Sequence, residues 1–359
     1  MASKKFANEL ATEILDAQAV EADSEIALLR STLAATKSRY QSALRQIAAE
    51  RSRADALAGL QNVSGKIKRR RKRSTKTQAS MLLLLSDWHV EERVDPVTVN
   101  GLNDFSLAVA DARISELLER FLACLEHERK VASINRVVVW LGGDFISGHI
   151  HEDTAELAAL PPLAATRWAG ERLRGVLDVI AGEVDEVVVA TNAGNHGRSN
   201  SGKPRVGTEL DHSFEQNLYL SMAAAESLPN VVWQVGEGHL NYLDFDGFTV
   251  RFHHGHSYKY AGGVGGIHVG VSKANSAWNN LKPADLTCFG HWHQFSWLRA
   301  GKYVSNGSLI GHSAYATKIK AAYEPPCQAA VVIDHKRNEV TKAFPIFCDR
   351  DLTLSAKKK

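Results

Sequence analysis

Two histidine-rich segments, His253-His254-Gly255-His256 and His291-Trp292-His293, stand out among the fifteen histidines of the chain, because clustered imidazoles are what a metal site needs. Oxygen donors accompany them in Ser86-Asp87-Trp88-His89, Gly142-Gly143-Asp144 and Ala193-Gly194-Asn195-His196. Carboxylate and amide oxygens with neutral imidazoles suit hard or borderline divalent ions such as Mn²⁺, Fe²⁺ or Zn²⁺, and Mg²⁺ is also accepted. A bridging carboxylate can hold two of them together. Two such ions about 3.5–4 Å apart polarise a phosphoryl oxygen, generate a hydroxide near neutral pH and steady both oxygens of an in-line displacement. One aspartate at a strand end is more often a helix cap or turn residue than a ligand. Seven donors in five segments, Asp87, His89, Asp144, Asn195, His254, His291 and His293, are poorly explained that way. His253 and His256 are left unassigned, and Trp88 and Trp292 read as walls of the site.

Each donor segment follows a short apolar run. Residues 82–85, 137–141 and 187–190 are β-branched or leucine-rich, and two later runs pass through Phe252 and Phe289. The donors therefore fall at the carboxyl ends of strands, where ligands gather in α/β proteins. Helical spacing of apolar residues over 107–126, 163–180 and 211–227 separates the early strands. The later part reads as short strands at 231–235, 248–253, 286–289, 303–305 and 329–334 with few helices between. A layered α/β sandwich with mixed sheets accounts for both halves.

The order Asp-x-His, Gly-Asp, Gly-Asn-His, His-Gly-His and Gly-His-x-His resembles the calcineurin-like metallophosphoesterase superfamily, over roughly residues 81–347. The resemblance implies a four-layer α/β/β/α sandwich. It also implies that Asp87, His89 and His293 hold one metal, that Asn195, His254 and His291 hold the other, and that Asp144 bridges them. His196 becomes the catalytic residue facing the scissile phosphate, and an imidazole titrating near neutrality suits a general acid for the leaving oxygen. One departure concerns this histidine. Many members follow Gly-Asn-His with an acidic residue that orients the ring, whereas Gly197 stands there in this chain, leaving Asp211 or Glu209 as substitutes. Arg198, Lys203 and Arg205 make the following loop basic and suited to substrate phosphates.

Residues 145–153, including His149 and His151, come directly after Asp144 and belong at the rim of the cleft. Together with residues 194–198 and 306–311 they are similar to phage and prophage members related to SbcD-type DNA exonucleases. That narrower resemblance implies a Mn²⁺-dependent DNA nuclease. A phosphatase or phosphodiesterase acting on a small molecule, nucleotide or protein needs only the metal cage. A non-catalytic DNA-binding or assembly protein has no use for an intact one.

With 359 residues, 44% hydrophobic and 23% charged, the chain can bury one large core and carry an appendage. Residues 81–350 form the expected enzyme domain. Its longest apolar run, 81–85, is far too short to cross a bilayer, and a cytoplasmic protein is expected, of a bacterial host if phage-encoded. Four widely spaced cysteines fit reduced thiols rather than a disulfide scaffold or zinc ribbon. The net charge of +3 conceals a basic linker at 62–80, where Lys68, Arg69, Arg70, Arg71, Lys72 and Arg73 run together. Such a run is either an inert soluble spacer or attracts polyanions by releasing their counterions, and the second reading makes DNA the expected partner. Residues 1–61 form a proline-free, Ala/Leu/Glu/Arg-rich arm whose apolar residues step by three and four, the spacing of a coiled coil, and predict a long helix that either serves self-association or a partner helix or folds back onto its own domain. Residues 351–359 are a basic tail.

Overall fold

The computed structural model describes residues 76–200, 205–245, 247–260, 266–298 and 302–349. The helical arm expected over 1–61, the basic run at 68–73, Lys203 and the tail at 351–359 lie outside the described residues.

Strands β1 (Gln78–Leu85), β2 (Ser133–Leu141), β3 (Glu186–Thr191) and β4 (Val231–Gln234) lie side by side and parallel. A second sheet contains β5 (Asn241–Phe245), β6 (Phe248–His253), β7 (Leu286–Phe289), β8 (Ser296–Leu298) and β9 (Tyr303–Ser305), in the order β5-β6-β7-β9-β8. Its β6, β7 and β9 are mutually parallel, with antiparallel β5 and β8 at the edges. The chain then returns to the first sheet through β10 (Cys327–Asp334) and β11 (Glu339–Phe347), giving the order β11-β10-β1-β2-β3-β4. Both sheets are mixed. The leucine run of β1 is buried on both faces between β2 and β10, as an uninterrupted apolar strand requires.

The sheets face one another. Leu82, Leu84, Val138 and Trp140 of the first share one core with Val250, Phe252, Leu286 and Val304 of the second, each burial contributing roughly 1.5–3 kcal/mol. The Trp140 and Phe252 rings stack with centroids 5.8 Å apart across this seam. Helix α1 (Leu107–Glu128) buries Ala110, Ile114, Leu117, Leu118, Phe121 and Leu125 at helical spacing and packs on β10 and β11. After the short α2 (Glu152–Leu157), helix α3 (Pro162–Glu183) covers β3, and α4 (Phe214–Ala224) lies against α3. Helix α5 (His268–Leu281) places Val271, Ala274 and Trp278 against Phe289 and Tyr303 of the second sheet. A short α6 (Ala314–Lys318) precedes β10. Helices thus cover the outer sides of two stacked sheets. No helix among the described residues is long and apolar enough to cross a membrane.

Two differences from the sequence expectation bear on the site. β1 begins at Gln78, so the stretch grouped with the basic linker up to residue 80 includes three residues of strand. Helix α5 was not anticipated, because Gly270, Lys273, Asn275, Asn279 and Asn280 dilute its apolar positions. Asn275 is nevertheless buried. Its Oδ1 accepts from Nη1 of the buried Arg251 at 2.9 Å, and Arg251 Nη2 donates to Asn279 Oδ1 and the Lys282 carbonyl. This guanidinium ties α5 to β6, the strand that leads into His254.

Candidate metal centre

The carboxyl ends of β1, β2, β3, β6 and β7 converge, and the seven proposed donors follow them. Asp87, His89 and His293 form one group whose donor atoms lie within 4.8 Å of one another, and Asp144, His254 and His291 form a second. Five of the seven, Asp87, His89, Asp144, His291 and His293, have positive φ between 48° and 71°. That left-handed conformation is uncommon outside glycine, is better tolerated by Asp and His than by most residues, and is found where the surrounding structure holds strain at a functional site.

Hydrogen bonds select the ring atom that His254 and His89 present. His254 donates its Nδ1 proton to the Gly142 carbonyl at 2.7 Å, leaving Nε2 toward Asp144 Oδ2 at 2.9 Å. His89 Nδ1 donates to Ser147 Oγ at 2.9 Å, because that hydroxyl gives its own proton to Glu92 Oε2 at 2.8 Å. His89 Nε2 then faces His293 Nε2 at 3.2 Å, and His293 Nε2 lies 3.4 Å from Asp87 Oδ1. Two imidazole nitrogens pointed at each other beside a carboxylate need a cation or a proton between them.

The electrostatics of the cage without ions show the same need. Burial opposes charge on His254, yet the neighbouring Asp144 carboxylate pushes its pKa up to about 10. Burial likewise opposes charge on His293, and Asp87 raises it. Burial drives His89 and His291 well below the usual imidazole range, with the surrounding histidines adding to the effect. In each group the carboxylate thus favours positive charge on one imidazole, the charge that a metal ion would otherwise supply. Asn195 supplies the remaining signal, since its buried Oδ1 has no hydrogen-bond partner. An amide oxygen left unsatisfied at a strand end costs roughly 1–3 kcal/mol unless a ligand uses it. The donor set present fits divalent ions.

The loops are held from behind by contacts that the sequence did not reveal. Ser86 Oγ donates to Asp87 Oδ2 and accepts from Asn306 Nδ2, while Gln328 Oε1 accepts from the Ser86 backbone N–H. The Asp87 carbonyl accepts from Leu309 N at 3.0 Å, which gives the 306–311 segment a supporting role behind the first group. Trp88 is fully buried, edge-on to Phe145, and is a wall as expected. Gly194 approaches so closely that an added Cβ would lie 2.1 Å from Asp144 Oδ1.

His196 stands beside this cage. Its backbone N–H donates to Asp144 Oδ1 at 2.7 Å, and its ring packs edge-on to His89 with centroids 4.9 Å apart. Neither substitute suggested for the missing acidic neighbour orients the ring: Nδ1 donates to the Ser147 carbonyl at 3.0 Å, whereas Glu209 pairs with His239 and Asp211 is exposed. The glycine at 197 has a steric cause. The buried Glu215 of α4 passes beneath it, and a Cβ there would lie 2.7 Å from Glu215 Cγ. Glu215 accepts from the backbone N–H groups of Phe145 at 2.7 Å and Gly194 at 2.9 Å, clamping the loops after β2 and β3 together. Burial, reinforced by Asp144, lifts its carboxyl to about 7.

The rim residues are distributed unevenly. His149, His151 and Arg205 are all exposed, and of these His151 comes within 6.2 Å of His196, ring centroid to ring centroid. Arg198 turns inward and donates to the Asn195 carbonyl at 2.6 Å.

No family model matches the chain, and no curated protein matches it. Among solved structures, an archaeal phosphodiesterase aligns at 10% identity over 74% of this chain and 99% of that one, with a TM-score of 0.32. Vps29 of Entamoeba histolytica complexed with Zn²⁺ aligns at 14% identity over 75% and 99%, TM-score 0.30. A predicted phosphoesterase from Streptococcus pneumoniae TIGR4 aligns at 14% identity over 74% and 98%, TM-score 0.30.

Proposed function

We propose that this protein is a two-metal phosphodiester hydrolase that acts on DNA. The phosphoester reading is carried by one observation: two Asp/His groups meet at converging strand ends with His196 hydrogen-bonded to Asp144 beside them. Asp87, His89 and His293 would hold one ion, Asn195, His254 and His291 the other, and Asp144 would serve both. When bound, the ions supply Lewis acidity toward the phosphoryl oxygen and lower the pKa of water toward neutrality.

The remaining steps belong to the chain's own groups. With its Nδ1 proton committed to the Ser147 carbonyl, His196 presents Nε2 to hold or release a proton at the leaving oxygen. Glu215 and Ser147 keep the two loops in register, so the imidazole and the cage keep a fixed separation. His151, near His196, would touch the substrate beyond the scissile group.

Support for DNA comes from the basic run at 68–73, which would attract a polyanion without regard to sequence, and from the exposed Arg205. A small diester or phosphate monoester is the second reading. It is favoured by Arg198, which is engaged with Asn195 rather than free at the rim. The full chain incubated with Mn²⁺ and labelled single- and double-stranded DNA, beside bis-p-nitrophenyl phosphate, separates the readings. DNA degradation supports the nuclease. Cleavage of the chromogenic ester alone, at every metal and salt condition, selects the second reading, and cleavage of no phosphoester by metal-loaded protein rejects both.

A further inference from the structure

A third group of donors lies outside the cage. Glu209 comes from the loop before α4, His239 from the turn before β5 and His256 from the loop after β6, and their ligand atoms lie within 4.8 Å of one another. The residues are far apart in sequence and share no donor with the cage. Their side chains are 11%, 13% and 11% exposed, so the group is a pocketed cluster and not a solvated charge patch.

The contacts within it are incomplete as hydrogen bonding. His239 Nδ1 meets Glu209 Oε1 at 2.9 Å, and its Nε2 meets Ser257 Oγ at 3.0 Å, so the ring orientation is fixed at both nitrogens. His256 Nε2 lies 3.5 Å from Glu209 Oε2, at the outer limit for a hydrogen bond. Oε2 of Glu209 and Nδ1 of His256 are both shielded from solvent and have no hydrogen-bond partner. A triad that existed to lock loops together would satisfy these atoms, because each buried unsatisfied group costs roughly 1–3 kcal/mol.

The geometry points to a third divalent-cation site formed by Glu209, His239 and His256. Two imidazoles and one carboxylate make up the donor set of His₂Glu zinc sites, which keep a position open for water or a substrate atom. Zn²⁺ is the ion of choice, since this mixture of nitrogen and oxygen suits a borderline metal. The serine behind His239 plays the part usual for partners of ligating histidines, fixing the ring so that the other nitrogen faces the ion. The His256 ring lies 5.6 Å from that of His254 and 6.3 Å from that of His291, centroid to centroid. An ion held there adds positive charge next to the second half of the cage.

The inference does not depend on the catalytic reading, and metal counting tests the two separately. The full-length chain is saturated with Zn²⁺, desalted, and its metal measured by plasma mass spectrometry, alongside Glu209→Gln, His239→Ala and Asp144→Asn. The wild type is expected to retain more than the two equivalents a dinuclear cage accepts. Glu209→Gln, nearly isosteric, and His239→Ala are each expected to retain one equivalent fewer than the wild type. A wild type that saturates at two equivalents overturns the third site whatever the variants do. So does either variant retaining as much zinc as the wild type, or losing as much as Asp144→Asn. If Asp144→Asn keeps its metal while Glu209→Gln loses one equivalent, the cage assignment fails and the third site stands.

Discussion

The backbone carbonyl of Ser147 accepts the Nδ1 proton of His196 at 3.0 Å, and the hydroxyl of the same residue accepts the Nδ1 proton of His89 at 2.9 Å. One residue therefore sets the tautomer of a proposed metal ligand through its side chain and of the proposed general acid through its main chain.

Those two contacts separate under mutation. Ser147→Ala removes the hydroxyl but not the carbonyl, so it is expected to weaken metal affinity by about 10–100-fold, as loss of a partner behind a ligating histidine does. At saturating metal its turnover should stay close to that of the wild type. Metal titration followed by kinetics at saturation reads both quantities, and a turnover defect that added metal does not repair would contradict the division.

His196→Ala should show the opposite pattern. Metal content is retained, while turnover falls by about 10²–10⁴-fold for substrates with poor leaving groups. The loss should be smaller for p-nitrophenyl esters, whose leaving group needs little protonation. Equal losses on both substrates would argue against a proton role.

Gly197→Ala tests the packing explanation for the missing acidic neighbour. The added methyl would collide with Glu215 Cγ and Cδ, which are buried and held by two backbone N–H groups. Overpacking of this kind costs about 1–3 kcal/mol. Urea unfolding should show the lower midpoint, and Gly197→Ala paired with Glu215→Ala should recover part of the overpacking loss measured against Glu215→Ala alone.

Much of this was readable from the chain, for a physical reason. The apolar runs at 82–85, 137–141 and 286–289 could only be buried strands, and polar donors directly after them had nowhere to go but the carboxyl ends. Glu215 and Gln328 were not legible, because they act through hydrogen bonds from distant positions that no local pattern marks, and although Ser147 and Asn306 fall in the segments 145–153 and 306–311, nothing in the sequence showed the contacts they make behind the ligands. Gln328 had the faintest signal, a polar residue at the head of a buried apolar strand. Glu209 was read as a support for His196, since nearness in sequence could not reveal that His239 and His256 approach it from elsewhere.

For the basic segment, a chain beginning at Lys76 preserves β1 entire. Hydrolysis of a small diester should be unchanged, while DNA affinity falls and its dependence on salt becomes shallower, as expected when several phosphate-neutralising cations are removed. Fluorescence anisotropy across a salt series measures this, and an unchanged slope would remove the linker from DNA binding.

In the proposed cage Asp144 would serve both metal positions, so metal content and bis-p-nitrophenyl phosphate hydrolysis measured together on the wild type and Asp144→Asn test the dinuclear cage most directly. The wild type should bind metal and hydrolyse the ester only when loaded, and Asp144→Asn should lose both the cage metal and the activity. Hydrolysis by metal-stripped wild type in the presence of chelator, or Asp144→Asn with full metal content and full activity, would contradict it.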